Sequence, residues 1–206
     1  MSKLNLPNKL TVIRLAMVPV VLLFLVVDFG IGPWNRIIAA LVFLAAALTD
    51  MADGKIARKR NLITDFGKFL DPLADKFLVI AGLITLCFVD SLALQTDETD
   101  KKVYCYALFV MTVIVIFREL AVTSLRLVVA SSRENVVIAA NIFGKIKTGS
   151  QITFVLLAMV AYPFVYLCPI AFYIVIYFVM LFATVMTILS GITYFKGYWK
   201  YINPEK

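Results

Sequence analysis

Long apolar runs separated by short charged stretches give this chain its pattern. Six runs stand out, at residues 11–29, 36–57, 68–89, 103–129, 148–166 and 169–195. Each holds enough residues to cross a hydrocarbon core of about 30 Å at a helical rise of about 1.5 Å per residue. The pattern predicts an all-α integral membrane protein with six transmembrane helices. Residues 1–10 set Leu4, Leu6 and Leu10 beside Lys3 and Lys9, which suits a short N-terminal helix lying on the membrane surface. The first run lacks a small-residue cleavage site and more runs follow it, so it reads as a retained span. There is no internal repeat and no low-complexity tract, and the length predicts one membrane domain over residues 1–206.

Charge sets the orientation. Counted from an inside N-terminus, sixteen lysines and arginines fall in cytoplasmic regions, and only Arg36, Lys101 and Lys102 fall opposite. Positive charge marks the cytoplasmic side, so both termini and the segment around residue 60 are expected there. The excess also changes how the net charge of +7 is read. In a chain that is 62% hydrophobic, it belongs to loops beside anionic lipid, not to a nucleic-acid surface. The cysteines Cys87, Cys105 and Cys168 form no C-x-x-C pair, and there is no histidine. Zinc and redox sites of that kind, histidine bases and phosphohistidine intermediates are therefore excluded. Any catalysis must use carboxylates, lysines, arginines or a metal held by oxygen.

One stretch breaks the apolar pattern: TDMADGKIARKRNLITDFGKFLDPLADKF, residues 49–77. Asp50, Asp53, Gly54 and Ala57 are spaced i, i+3, i+4 and i+7, one face at the end of the second helix. Gly67, Asp71 and Asp75 are spaced by four, one face at the start of the third. The connection KRNLIT between them is short and polar, which predicts antiparallel neighbours with Thr64 and Asp65 capping the third helix. Four carboxylates brought together repel unless a cation joins them. All-oxygen ligands favour Mg²⁺, Mn²⁺ or Ca²⁺, and four aspartates suffice for two ions. Small residues Gly54, Ala57 and Gly67 leave room for a ligand, and Arg58 is placed to bind phosphate. Two other readings fit the same residues: aspartates merely solvated at a helix end, or an ion-transport site.

The segment resembles the signature of the CDP-alcohol phosphatidyltransferase family. That signature is D-x-x-D-G-x-x-A-R, eight residues, then G-x-x-x-D-x-x-x-D. Asp50, Asp53, Gly54, Ala57, Arg58, Gly67, Asp71 and Asp75 match it in type and spacing. The resemblance implies a membrane enzyme that joins a CDP-activated lipid to an alcohol and releases CMP. It implies that Asp50, Asp53 and Asp71 hold two Mg²⁺ or Mn²⁺ ions, with Asp75 as ligand or general base. It also implies that Gly54, Arg58 and Thr64 contact the CDP-lipid, that Asn8 and Thr11 approach the cytidine, and that the protein is a homodimer. The lack of histidine excludes the phospholipase-D-like route of some cardiolipin synthases.

The signature does not name the acceptor. The stretches LPNKLTVIRL, FRELAVTSLRL and FGKIKT resemble the bacterial phosphatidylglycerophosphate synthases of this family. Arg118 and Arg126 lie two turns apart on the cytoplasmic half of the fourth span, and Lys145 and Lys147 begin the fifth at the same level. An arginine within a span is costly and most often functional. Four converging cations would suit the dianionic phosphate of glycerol 3-phosphate. The expected reaction is CDP-diacylglycerol with sn-glycerol 3-phosphate. Inositol phosphate, serine or phosphatidylglycerol remain as acceptors of the same chemistry. Ordinary positive-inside charge would also explain the lysines, and an ion pair with a buried carboxylate would explain Arg118. Glu119 is adjacent but points about 100° away along the helix, so another partner is expected for it.

Overall fold

The computed structural model describes residues 6–60, 65–89, 98–131, 142–164 and 169–202, with side-chain placement for 8–49, 70, 73–74, 76–89, 101–129, 142–161 and 170–199. It contains six helices: α1 (Leu6–Val26), α2 (Trp34–Arg60), α3 (Asp65–Phe88), α4 (Glu98–Ser131), α5 (Ile142–Phe164) and α6 (Pro169–Ile202). No strand occurs among the described residues. Each of the six apolar runs lies largely within one helix. Several helices outlast their runs, because the backbone ladder continues through charged residues once the apolar part is fixed. Lys59 and Arg60 belong to α2, not to the connection predicted for them. Residues 6–10 continue directly into α1, where a separate surface helix had been expected. Asp65 opens α3, while Thr64 lies outside the described residues.

The helices close into a ring in the order α1, α2, α5, α6, α4, α3, with α3 also touching α2 and α5 across the middle. Every helix turns a narrow stripe inward at intervals of three and four. Val18, Val21 and Leu25 do so on α1, Ala39, Phe43 and Ala46 on α2, Leu108, Met111 and Val115 on α4, and Ile176, Met180 and Ala183 on α6. The outward faces are just as apolar: Leu41, Phe109, Phe178 and Leu181 are all exposed. A water-facing surface of that kind would be unstable, so lipid is its solvent. By length and composition α1, α4 and α6 each hold a stretch able to cross a membrane, and α2 and α3 hold shorter apolar stretches, Trp34–Thr49 and Lys76–Phe88.

Between helices in lipid, close packing and polar contacts replace the hydrophobic drive. Gly82 marks the tightest approach. A Cβ there would meet Val155 Cγ1 at 3.1 Å and Phe43 Cε2 at 3.3 Å, so a side chain at this position would press α3 a few tenths of an ångström against side chains of α2 and α5. Gln151 Nε2 donates to Thr187 Oγ1 at 2.8 Å, tying α5 to α6 in the buried interior. At the α1–α2 turn, Asp28 Oδ1 accepts from the Gly30 amide at 2.9 Å and from Asn35 Nδ2 at 3.1 Å. Gly30 and Gly32 both carry positive φ there, which glycine adopts without strain.

Candidate active site

Five of the six helices surround a cavity of about 520 Å³. Among its lining residues are Lys76 from α3, Arg118, Glu119 and Arg126 from α4, Lys145 and Lys147 from α5, and Tyr194 from α6. The four cations proposed for an acceptor phosphate thus share one space. They do not share one environment. Lys147 is buried and Arg118 nearly so, whereas Arg126 and Lys145 are exposed at the rim. Among the described lining residues five cations face one carboxylate, Glu119, in a site partly shielded from water, which favours an anion.

The inner cations are held by specific partners. Arg118 Nη1 donates to Glu119 Oε1 at 3.0 Å, and Lys147 Nζ pairs with the same oxygen. Arg118 Nη2 donates to Ser190 Oγ on α6 at 2.6 Å. Lys76 donates to Thr123, which in turn bonds back to the Glu119 carbonyl at 2.7 Å. Arg126 Nη2 donates to Tyr194 Oη at 2.9 Å. The expectation for Glu119 was half correct. Lys147 is the other partner, but Arg118 pairs with it as well, because a long guanidinium can fold back over one peptide unit even though the two Cβ directions diverge.

The aspartate segment joins this cavity through its helices. Val79 lines the cavity, and Asp75 and Asp71 occupy the positions one and two turns before it on α3. Ala47 lines it on α2, and Asp50 and Gly54 follow at i+3 and i+7. Asp53, Ala57 and Arg58 continue α2, and Gly67 lies in the first turn of α3. The side chains of these residues lie outside those described, apart from those of Val79 and Ala47. On the first helix, Asn8, Thr11 and Arg14 are buried at i, i+3 and i+6, and α1 packs on both α2 and α3.

Sequence reasoning missed Lys76, Glu119 and Tyr194 as members of the site, and gave Arg14 no role beyond charge counting. Lys76 was legible as the residue following Asp75. Arg14 stands only three residues inside the first apolar run, so it read as loop charge, yet it is buried. Tyr194 carried no signal, since tyrosines near helix ends are common at membrane interfaces.

The donor chemistry fits a hard divalent cation. Four aspartate positions stand on the two helix ends that border the cavity, and no nitrogen or sulfur ligand belongs to that set. Aspartate positions on two helices that border a cation-lined cavity suit a membrane enzyme acting on phosphorylated substrates. The profile of the CDP-alcohol phosphatidyltransferase family matches residues 4–193, and the chain belongs to that family. Its enzymes use divalent metal. The chain is 38% identical to the CDP-diacylglycerol–glycerol-3-phosphate 3-phosphatidyltransferase of Bacillus subtilis, over 98% of each chain. It is 34% identical to the protein of that name from Rickettsia bellii, over 96% of this chain and 97% of the other. A cardiolipin synthase (CMP-forming) from Oryza sativa is 39% identical over 73% of this chain and 44% of its own length.

Proposed function

We propose that this protein transfers the phosphatidyl group of CDP-diacylglycerol to sn-glycerol 3-phosphate, giving phosphatidylglycerophosphate and CMP. The observation that carries the acceptor is the cavity in which Lys76, Arg118, Arg126, Lys145 and Lys147 meet beside the aspartate helices. A serine acceptor has less need for so many cations, whereas inositol phosphate would use them as glycerol 3-phosphate does. The near full-length likeness to the Bacillus subtilis enzyme supports the same choice.

In this reading Asp50, Asp53, Asp71 and Asp75 hold two Mg²⁺ or Mn²⁺ ions. When bound, these neutralise the diphosphate and make CMP a better leaving group. The low profile of Gly54, Ala57 and Gly67 admits the CDP moiety, and Arg58, Thr64, Asn8 and Thr11 bind it. Arg118, Arg126, Lys145 and Lys147 orient the acceptor phosphate, so that its hydroxyl faces the phosphorus of the phosphatidyl group. Asp75 takes the proton of that hydroxyl as the new P–O bond forms and the bond to CMP breaks. Six spans, both termini and the site on the cytoplasmic side of the cell membrane, one domain over residues 1–206 and a homodimeric assembly complete the reading.

The rice relative's name favours one second reading, phosphatidylglycerol as acceptor. That acceptor brings one phosphodiester charge and two acyl chains, a poorer match to a water-accessible polycationic cavity. CMP release by the purified protein, given CDP-diacylglycerol, Mg²⁺ or Mn²⁺ and each acceptor in turn, separates the possibilities. Turnover with glycerol 3-phosphate is expected. Turnover with inositol phosphate, serine or phosphatidylglycerol but not glycerol 3-phosphate would replace the assignment. Ion flux in liposomes without CMP release would return the aspartates to a transport role.

A further inference from the structure

The cationic cavity has a difficulty that its ion pairs do not remove. Packed cations repel one another, and an arginine on a long side chain must be fixed before it can orient a phosphate. A carboxylate can fix it, but cancels its charge and occupies its donors. Glu119 already does this for Arg118 and Lys147. A second carboxylate would cancel a further charge.

Helix α6 supplies a neutral alternative. The Tyr194 ring lies with its centroid 5.5 Å from Arg118 Cζ and 5.1 Å from Arg126 Cζ. The two arginines are eight residues apart on α4, about 12 Å of helical rise, and this one ring serves both. Its hydroxyl accepts from Arg126 at 2.9 Å. Tyr194 is buried in a small cluster with Val122, Val129 and Tyr198, and Tyr198 stacks on it at 6.3 Å with rings 13° from parallel. One turn earlier Ser190 receives Arg118. An aromatic face attracts a guanidinium through its quadrupole and carries no formal charge. It holds the cation and leaves the charge for an incoming anion.

We propose that Tyr194 is the positioning residue of the acceptor site, fixing Arg118 and Arg126 in one register for the acceptor phosphate without neutralising them. The inference rests on the reading of this cavity as the phosphate site. Tyr194→Phe keeps the ring and loses the hydroxyl contact; Tyr194→Leu loses both. CMP release is measured for wild type and both variants over a grid of glycerol 3-phosphate and CDP-diacylglycerol concentrations, with thermal melts in detergent alongside. Tyr194→Leu is expected to raise the KM for glycerol 3-phosphate about tenfold, the loss of two cation–π contacts, and to leave the KM for CDP-diacylglycerol within about twofold. A parallel rise in both KM values, or no change in either, overturns the proposal. If Tyr194→Leu does not melt cooperatively, Tyr194→Phe decides. A rise of about threefold in the acceptor KM alone, the size of one hydrogen bond, supports it, and an unchanged acceptor KM overturns it. If the wild type does not turn over glycerol 3-phosphate, the acceptor reading falls first. Calorimetric binding of inorganic phosphate then tests Tyr194: weakening in the leucine variant supports the role, and equal affinity overturns it.

Discussion

The two ends of the candidate site are built in different ways. The aspartate end is local: eight signature residues fall within 26 consecutive positions of α2 and α3, in helical register. The cationic end is assembled from three separate stretches, Lys76 on α3, Arg118 and Arg126 on α4, and Lys145 and Lys147 on α5, with Tyr194 of α6 beside them. A local constellation can be read from spacing alone, because helix geometry fixes which residues share a face. A dispersed one depends on how the helices pack, and packing in lipid is set by details such as the missing side chain at Gly82. In the proposed mechanism, chemistry common to many acceptors belongs to the first kind of structure, and the choice of acceptor to the second.

That division can be broken by experiment. Asp75→Asn should lower CMP release with every acceptor by about a thousandfold, within the range of a lost general base, while the protein still melts cooperatively in detergent. Substantial activity would remove Asp75 from the catalytic step. Arg118→Ala should act selectively. Losing a charge-assisted contact to phosphate predicts a rise of about 10- to 100-fold in the KM for glycerol 3-phosphate, with the KM for CDP-diacylglycerol unchanged. An equal effect on both substrates would mean that Arg118 serves only its ion pair with Glu119.

Glu119→Ala addresses architecture more than catalysis. It would leave Arg118 and Lys147 without their shared carboxylate in a buried site, a loss of about 3–5 kcal/mol of stability. A detergent melting temperature equal to that of wild type would show that the cations have other adequate partners. The smallest effect is expected for Gln151→Leu. It breaks the α5–α6 contact to Thr187 at the edge of the cavity, and an interhelical hydrogen bond in lipid contributes about 0.6 kcal/mol. A loss of several kcal/mol would show that this contact fixes the whole cavity.

Much of the fold was legible because apolar length is a direct readout of helix length. The six runs found their helices, and the differences lie at the ends, where Lys59 and Arg60 extend α2 and residues 6–10 extend α1. The convergence of Arg118, Arg126, Lys145 and Lys147 was legible from charge placed at one membrane level. Glu119 pairs with Arg118 although their Cβ directions diverge, because the charged group of arginine lies several bonds from Cβ and angular position on the helix does not fix it. Tyr194 was invisible for a different reason. Its significance comes from two arginines on another helix, and no spacing within α6 records that.

The most direct test sets glycerol 3-phosphate against unphosphorylated glycerol in CMP release from CDP-diacylglycerol by the purified protein. If the cationic cavity selects the acceptor by its phosphate, kcat/KM should be at least about a hundredfold higher for glycerol 3-phosphate, as expected when charge-assisted contacts of about 1.5–3 kcal/mol each are lost together. Comparable turnover of the two would contradict it, because the five cations would then have no part in choosing the alcohol.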